Sequence, residues 1–331
     1  MEKSLSPAQR ILQIVSAYWT SRCVQVASKL GLPDQVAGGP RSVDDLARAT
    51  QTHAPALNRL LGVLVAVGLF TRDEQGLFGP TDLSRCLESN GPLSQHALAM
   101  VRGGEQYQAW GELEHSIRTG KPAFDHLYGV PWFEWLGQHP EQAALFDQAM
   151  VGVHGAESAA IVEAYDFSWR ECWMDIGGGN GSLLHHILEH TPSVRGILFD
   201  LPHVVARAQP TLHPRCQAVG GSFFEAIPPV ADGYLMRHIL HDWDEASCVR
   251  ILTTVRKAMA PECRLLVVEG LLPEGNNPSF TRLLDLNMLV MLGGQERTIT
   301  EYRNLLTRTG FQLERIIGTR TEVSILEAKP A

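Results

Sequence analysis

Apolar residues recur at helical spacing from Ile11 to Leu30 (Ile11, Val15, Tyr18, then Cys23, Val26 and Leu30), and Gly31 with Pro33 closes the run, which predicts a first helix. In "RSVDDLARAT", Ser42 is placed to cap a second helix, with Asp45 three residues on. After the short turn "QTH", the stretch "APALNRLLGVLVAVGLF" predicts another helix, and "TRDEQGLFGPT" reads as a β-hairpin or wing. Helical patterns with aromatic insertions then continue to about residue 165: "QYQAWGELEHSIRTG", "PWFEWLGQHPEQAALFDQAM" and "ESAAIVEAYDFSW".

From Glu171 the texture changes. Short β-like runs alternate with helical ones: "ECWMDI", "RGILFD", "CQAVGG", "GYLMRHI", "RLLVVEG", and at the end "FQLERIIGT" and "SILEAKP". Between the fourth and fifth runs, Cys248, Leu252, Val255 and Met259 form one apolar helical face that stops at Pro261. Alternation of this kind predicts an α/β fold with a doubly wound, mostly parallel sheet and an antiparallel hairpin at its end. In such a sheet ligands sit beyond the carboxyl ends of the strands. Attention therefore falls on Asp175 and its glycine loop, Asp200, Gly221 with Ser222, the Arg237 to His241 segment, and Glu269.

The front end, helix, turn, helix and wing, is a DNA-binding layout and raises the reading of a regulator with a metabolite-sensing domain. Its chemistry argues otherwise. The helix that would enter the major groove offers mainly Asn58 and Arg59 among Leu, Val and Ala. Residues 1 to 100 hold nine Lys or Arg against eight Asp or Glu, and the whole chain carries a formal charge of −8, so no basic footprint stands out. The apolar helix surface is better suited to self-association, and no nucleic-acid or membrane partner is expected. The start, "MEKSLSPAQR", has no apolar signal core, and the run "LLGVLVAVGLF" is too short to span a bilayer, so a cytoplasmic protein is expected. Six widely spaced cysteines without any C-x-x-C point to core thiols.

The loop "DIGGGNG" places Gly177, Gly178, Gly179 and Gly181 directly after Asp175. Glycines let backbone amides approach a ligand closely. No G-K-[ST] follows, which excludes a P-loop, and the dinucleotide pattern G-x-G-x-x-G fails at Ser182. A carboxylate before the loop would repel a pyrophosphate and favour a cation such as the ammonium or sulfonium of S-adenosylmethionine. Asp200, 25 positions later at the end of the next strand, is spaced to chelate ribose hydroxyls, which suits NAD and S-adenosylmethionine equally.

His241, just past a strand end, is a candidate proton acceptor. His238, His241 and Asp242 also make H-x-x-H-D, and His186 with His190 lies at i, i+4. Neither brings the full ligand set of a recognised zinc pattern, so no catalytic metal is expected. Together "DIGGGNG", "LFDLP", "GGSFFEAIP", "RHILHDWDE", "VVEGLLP" and "GGQERT" resemble, in order and spacing, the small-molecule O-methyltransferases that include the caffeic acid, acetylserotonin and bacterial natural-product enzymes.

The resemblance implies a Rossmann-like catalytic domain at 166–331, a winged-helix dimerisation domain at 1–92 and a helical linker at 93–165 that contributes to the substrate pocket. It implies that Asp175, Gly177 and Gly179 hold the methionine part of S-adenosylmethionine and Asp200 the ribose, with Ser222 and Phe223 beside the adenine and Arg237 near the cofactor. His241 becomes the general base, with Glu269 and Glu296 orienting and stabilising its imidazolium. Met100, Trp110, Phe146, Met150, Asn287 and Met288 match the acceptor pocket. The expected activity is methyl transfer from S-adenosylmethionine to a hydroxyl, phenolic by preference, of a small aromatic or polyketide-like metabolite, giving S-adenosylhomocysteine, in a homodimer. Ser222 stands where many relatives have an Asp, so the adenine amine would meet a hydroxyl without charge assistance. The competing readings are a relative with decarboxylase or hydroxylase chemistry and an NAD-dependent oxidoreductase.

Overall fold

The computed structural model describes residues 5–91 and 94–331, so the domain boundary expected at 92 and 93 lies outside the described residues. The chain forms two compact units, one holding the chain up to Tyr107 together with Glu141–Val153, the other Gln108–Pro140 and His154–Ala331. The segment expected as a single linker is thus shared between them.

The first unit starts with the helix Pro7–Lys29, where Ser6 and Gln9 form a reciprocal capping box. Only its C-terminal part faces the core: Ala27 is buried, whereas Ile11, Leu12, Ile14, Val15, Tyr18 and Trp19 are 54% to 63% exposed. Ser42 caps the helix Val43–Thr50 as expected, its hydroxyl accepting from the Asp45 N–H. The next helix, Ala54–Ala66, is shorter than its apolar run, because the chain turns at Gly68 (φ 79°) and enters the wing, β1 (Phe70–Arg72) paired antiparallel with β2 (Phe78–Pro80). Leu32, Leu46, Leu61, Leu64, Phe70 and Phe78 fill this unit's core.

The second unit is built on β3 (Cys172–Ile176), β4 (Arg195–Asp200), β5 (Cys216–Gly220), β6 (Gly233–Arg237), β7 (Arg264–Gly270), β8 (Phe311–Gly318) and β9 (Val323–Pro330). They form one sheet in the order β5-β4-β3-β6-β7-β9-β8. Pairings are parallel from β5 to β7, while β9 runs antiparallel to both β7 and β8. The chain order reverses between β3 and β6, and β3 is the first strand of this sheet, so its carboxyl end is the switch point at which ligands bind in sheets of this kind. Strands β3 and β7 are buried along nearly all their length, as a sheet covered on both faces requires. Helices Ser182–His190 and Glu245–Ala258 contribute Leu184, Ile187, Ile251 and Leu252 to the two apolar layers. Among the described residues no helix is long and apolar enough to cross a membrane.

Candidate active site

At the end of β3, Asp175 is buried and its Oδ1 has no hydrogen-bond partner. Burial raises its carboxyl to about 7, with Arg237 pulling down and Asp200 pushing up. The loop that follows is pinned by the Gly177 N–H, which donates to the Phe199 carbonyl (2.8 Å), and by the Gly179 N–H, which donates to Asp200 Oδ2 (2.9 Å). Gly179 has φ 59°, and a Cβ there would meet nothing within 4 Å, so the loop leaves open space on that side. The carboxylates of Asp175 and Asp200 therefore border one glycine cradle. Arg237, at the end of β6, is half-buried and donates to Ser158 Oγ (2.8 Å) and Ser182 Oγ (3.2 Å). The Ser222 hydroxyl accepts from the Phe224 N–H (3.2 Å), so it caps its own turn. Phe223 lies edge-on to Phe224 and Trp243.

His241 sits in a 3-10 turn, Leu240–Asp242, just beyond β6. Its ring Nδ1 lies 2.8 Å from Glu296 Oε1, and its Nε2 lies 3.3 Å from Asp242 Oδ1. The Glu296 carboxylate accepts from the Nδ1–H, so Nε2, beside Asp242 Oδ1, is the nitrogen that gains and loses the titrating proton. Glu269, fully buried on β7, uses Oε1 to accept from the N–H groups of Ile239 (3.1 Å), Leu240 (2.9 Å) and His241 (3.4 Å). It thus holds the backbone of the His241 turn, while its Oε2 stands 3.6 Å from His241 Nδ1. Burial alone would push the imidazole down, but the charges of Glu269, Asp242 and Glu296 and the Glu296 hydrogen bond outweigh it and raise His241 to about 10. Burial raises Asp242 to about 6 against the pull of His241, and raises Glu269 to about 7.

Of the residues expected to line an acceptor pocket, Trp110, Asn287 and Met288 belong to the second unit. Trp110 Nε1 donates to Asn287 Oδ1 (2.8 Å), a bond spanning 177 positions of sequence, and Met288 is buried. Met100, Phe146 and Met150 belong to the first unit, where Phe146 and Met150 pack on Ala97, Val101 and Ala149.

The O-methyltransferase domain family matches residues 110–312, and the O-methyltransferase dimerisation domain family matches residues 12–90. The chain belongs to the O-methyltransferase family. It is similar to the phenazine O-methyltransferase PhzM of Lysobacter antibioticus, 42% identical over 325 residues that cover 97% of this chain and 95% of that protein. It is 37% identical to the 3-amino-4-hydroxybenzoate 4-O-methyltransferase of Streptomyces cremeus, covering 97% of this chain and 89% of that protein. The crystal structure of human N-acetylserotonin methyltransferase in complex with SAM superposes with a TM-score of 0.93 at 29% identity, covering 100% of both chains.

In this O-methyltransferase, several residues around His241 escape the motif reading. Arg297 is buried and donates to the carbonyls of Leu240 (2.8 Å) and Trp243 (3.0 Å), so it holds carbonyls of the His241 turn as Glu269 holds its N–H groups. Asp285 accepts from the Glu296 N–H (2.9 Å). Gly294 lies so close to the same turn that a Cβ would collide with the His241 carbonyl. The motif "GGQERT" contained the signal for Gly294 and Arg297, two residues on either side of the acid that attracts notice.

Proposed function

We propose that this protein transfers a methyl group from S-adenosylmethionine to a phenolic hydroxyl of a small aromatic metabolite, as a homodimer, with His241 as general base. The observation that carries the proposal is the contact of His241 Nδ1 with Glu296, which leaves Nε2 as the reactive nitrogen inside a ring of carboxylates at the carboxyl end of β6. The cofactor fits the residues present. A buried carboxyl with an unpartnered oxygen, raised to about 7, regains its charge beside a cation, and Asp175 offers that. Asp175, Gly177 and Gly179 would hold the methionine part, Asp200 the ribose, and Ser222 and Phe223 the adenine. Because the Ser222 hydroxyl already accepts one backbone hydrogen bond, its second lone pair is what it has left for the adenine amine. Arg237 supports the cradle from below through Ser158 and Ser182.

S-adenosylmethionine supplies an electrophilic methyl whose sulfur leaves without help from an acid. The protein's task is to align the attacking oxygen and to take its proton. A phenol has a pKa of about 10 and stays protonated at neutral pH. His241, raised to about 10 by its carboxylates, is matched to it, so the proton crosses with little energy difference between the two sites. The resulting imidazolium is stabilised by Glu296 at Nδ1 and by the charges of Glu269 and Asp242. Within the second unit, Trp110, Asn287 and Met288 would shape the acceptor pocket and exclude water. The expected site of action is the cytoplasm.

The testing experiment pairs calorimetry with turnover. Wild type and His241→Ala should both bind S-adenosylhomocysteine one per chain and neither should bind NAD, while the variant loses methyl transfer to phenols by roughly a hundredfold or more. Unchanged turnover would remove the base assignment, and binding of NAD alone would overturn the cofactor.

A further inference from the structure

Beside His241 lies a second cluster to which the proposed mechanism assigns no role. On the helix Pro140–Ala164, His154 Nδ1 is 2.9 Å from Glu157 Oε2, and His238 Nε2, from the turn after β6, is 2.9 Å from the same oxygen. The three side chains are only 11% to 15% exposed. The rings of His154 and His238 are 4.2 Å apart, and His238 is held at φ 53°, a left-handed conformation uncommon outside glycine.

Proton accounting exposes a mismatch. If both imidazoles donate to the Glu157 carboxylate, His238 must carry its proton on Nε2. Its Nδ1 is then a bare lone pair 3.7 Å from Glu269 Oε2, beyond hydrogen-bond distance. Both atoms are buried and neither has a hydrogen-bond partner. Buried polar atoms left without partners are costly. The mismatch is relieved if a cation takes the Nε2 lone pair, because the His238 proton then moves to Nδ1, where Glu269 Oε2 is the facing acceptor. A histidine that binds a metal through one nitrogen and gives the other N–H to a buried carboxylate is the usual second-sphere arrangement of a protein metal site.

We propose that His154, Glu157 and His238 form a binding site for a zinc-class divalent ion, with Nδ1, a carboxylate oxygen and Nε2 as its three protein ligands. The ligand atoms lie within 4.8 Å of one another. Zinc bonds of about 2.0–2.1 Å place tetrahedral ligands about 3.3 Å apart, so the two contacts at 2.9 Å need only open slightly to admit the ion. Two imidazoles and one carboxylate favour zinc over magnesium or calcium, which prefer oxygen. The fourth position is left for water. The ion is not a participant in methyl transfer and the site does not depend on that reading: it ties the long helix to the turn that carries the base.

The test uses the full chain, stripped with a chelator and titrated with Zn2+ by calorimetry. One ion per chain is expected, with a higher melting temperature in the loaded protein. His154→Gln and Glu157→Gln should each weaken binding about a hundredfold or more, since even outer-sphere losses cost 10–100-fold, whereas His186→Gln should leave it unchanged. Replacing Zn2+ by Co2+ in the unaltered protein should give the intense visible bands of a four-coordinate ion, a readout that needs no variant to fold. Absence of one-per-chain binding, a six-coordinate Co2+ spectrum, or affinity insensitive to Glu157→Gln would overturn the site.

Discussion

At the scale of single residues, the carboxylates around His241 decide how its imidazole titrates. Imidazole alone titrates near 6.5, and burial would lower it further, yet Glu269, Asp242 and Glu296 together raise it to about 10. The sign follows: a base with a raised pKa is protonated below that value, so the free-base fraction falls about tenfold for each pH unit below it. For methyl transfer to a phenol, kcat/KM is therefore expected to climb from pH 7 towards pH 10. Glu296→Gln removes one of the raising charges and should move the rise to lower pH, while loosening the ring's orientation and lowering the plateau. A profile measured for both proteins checks this; a wild-type limb near pH 6.5, unmoved by the substitution, would show that the carboxylates do not govern the base. Such a field was only half legible in the sequence. The motif resemblance brought Glu269 and Glu296 to His241, but the pairing of Glu269 with three backbone N–H groups depends on the turn's conformation, and nothing in the residue order discloses it.

At the scale of elements, strands were easier to read than what hangs from them. Parallel strands covered on both faces are near-continuous apolar runs, and "CWMDI" and "RLLVVEG" are of that kind, so β3 and β7 were legible directly. The helix Ala54–Ala66 was over-read, because an apolar run continues past Gly68 into the wing, and periodicity does not separate the two. Contacts between distant segments were not legible at all: Glu157 and His238 meet across 81 positions, and Trp110 and Asn287 across 177. The loop between the helices Phe280–Met291 and Ile299–Arg308 exemplifies the consequence. The Gln295 N–H donates to the His241 carbonyl at 2.9 Å, which requires Gly294 to pass against that same carbonyl. Gly294→Ala should push the loop off the turn, cost about 1–3 kcal/mol of stability as overpacking does, and reduce turnover more than cofactor binding. Thermal melting and S-adenosylhomocysteine calorimetry on the variant separate these effects; wild-type melting and turnover would show that the loop yields without cost.

At the scale of the whole molecule, the first helix presents a surface that its own unit does not cover. Ile11, Ile14, Val15, Tyr18 and Trp19 fall at i, i+3, i+4, i+7 and i+8, one continuous stripe, and all are more than half exposed. An apolar stripe of this kind on a chain whose residues 12–90 match a dimerisation domain family supports a second copy as its cover. The core of the unit does not depend on these side chains, since Leu32, Leu46, Leu61 and Phe78 are buried elsewhere. Introducing charge into the stripe should therefore separate assembly from folding. Val15→Glu combined with Trp19→Glu is expected to convert the dimer into a monomer of half the mass in light scattering, with helical circular dichroism retained, because an unpaired carboxylate is costly to bury between two apolar helices. A dimer mass that survives both charges would place the interface on another surface, and a monomeric mass in the unaltered protein would remove the homodimer altogether.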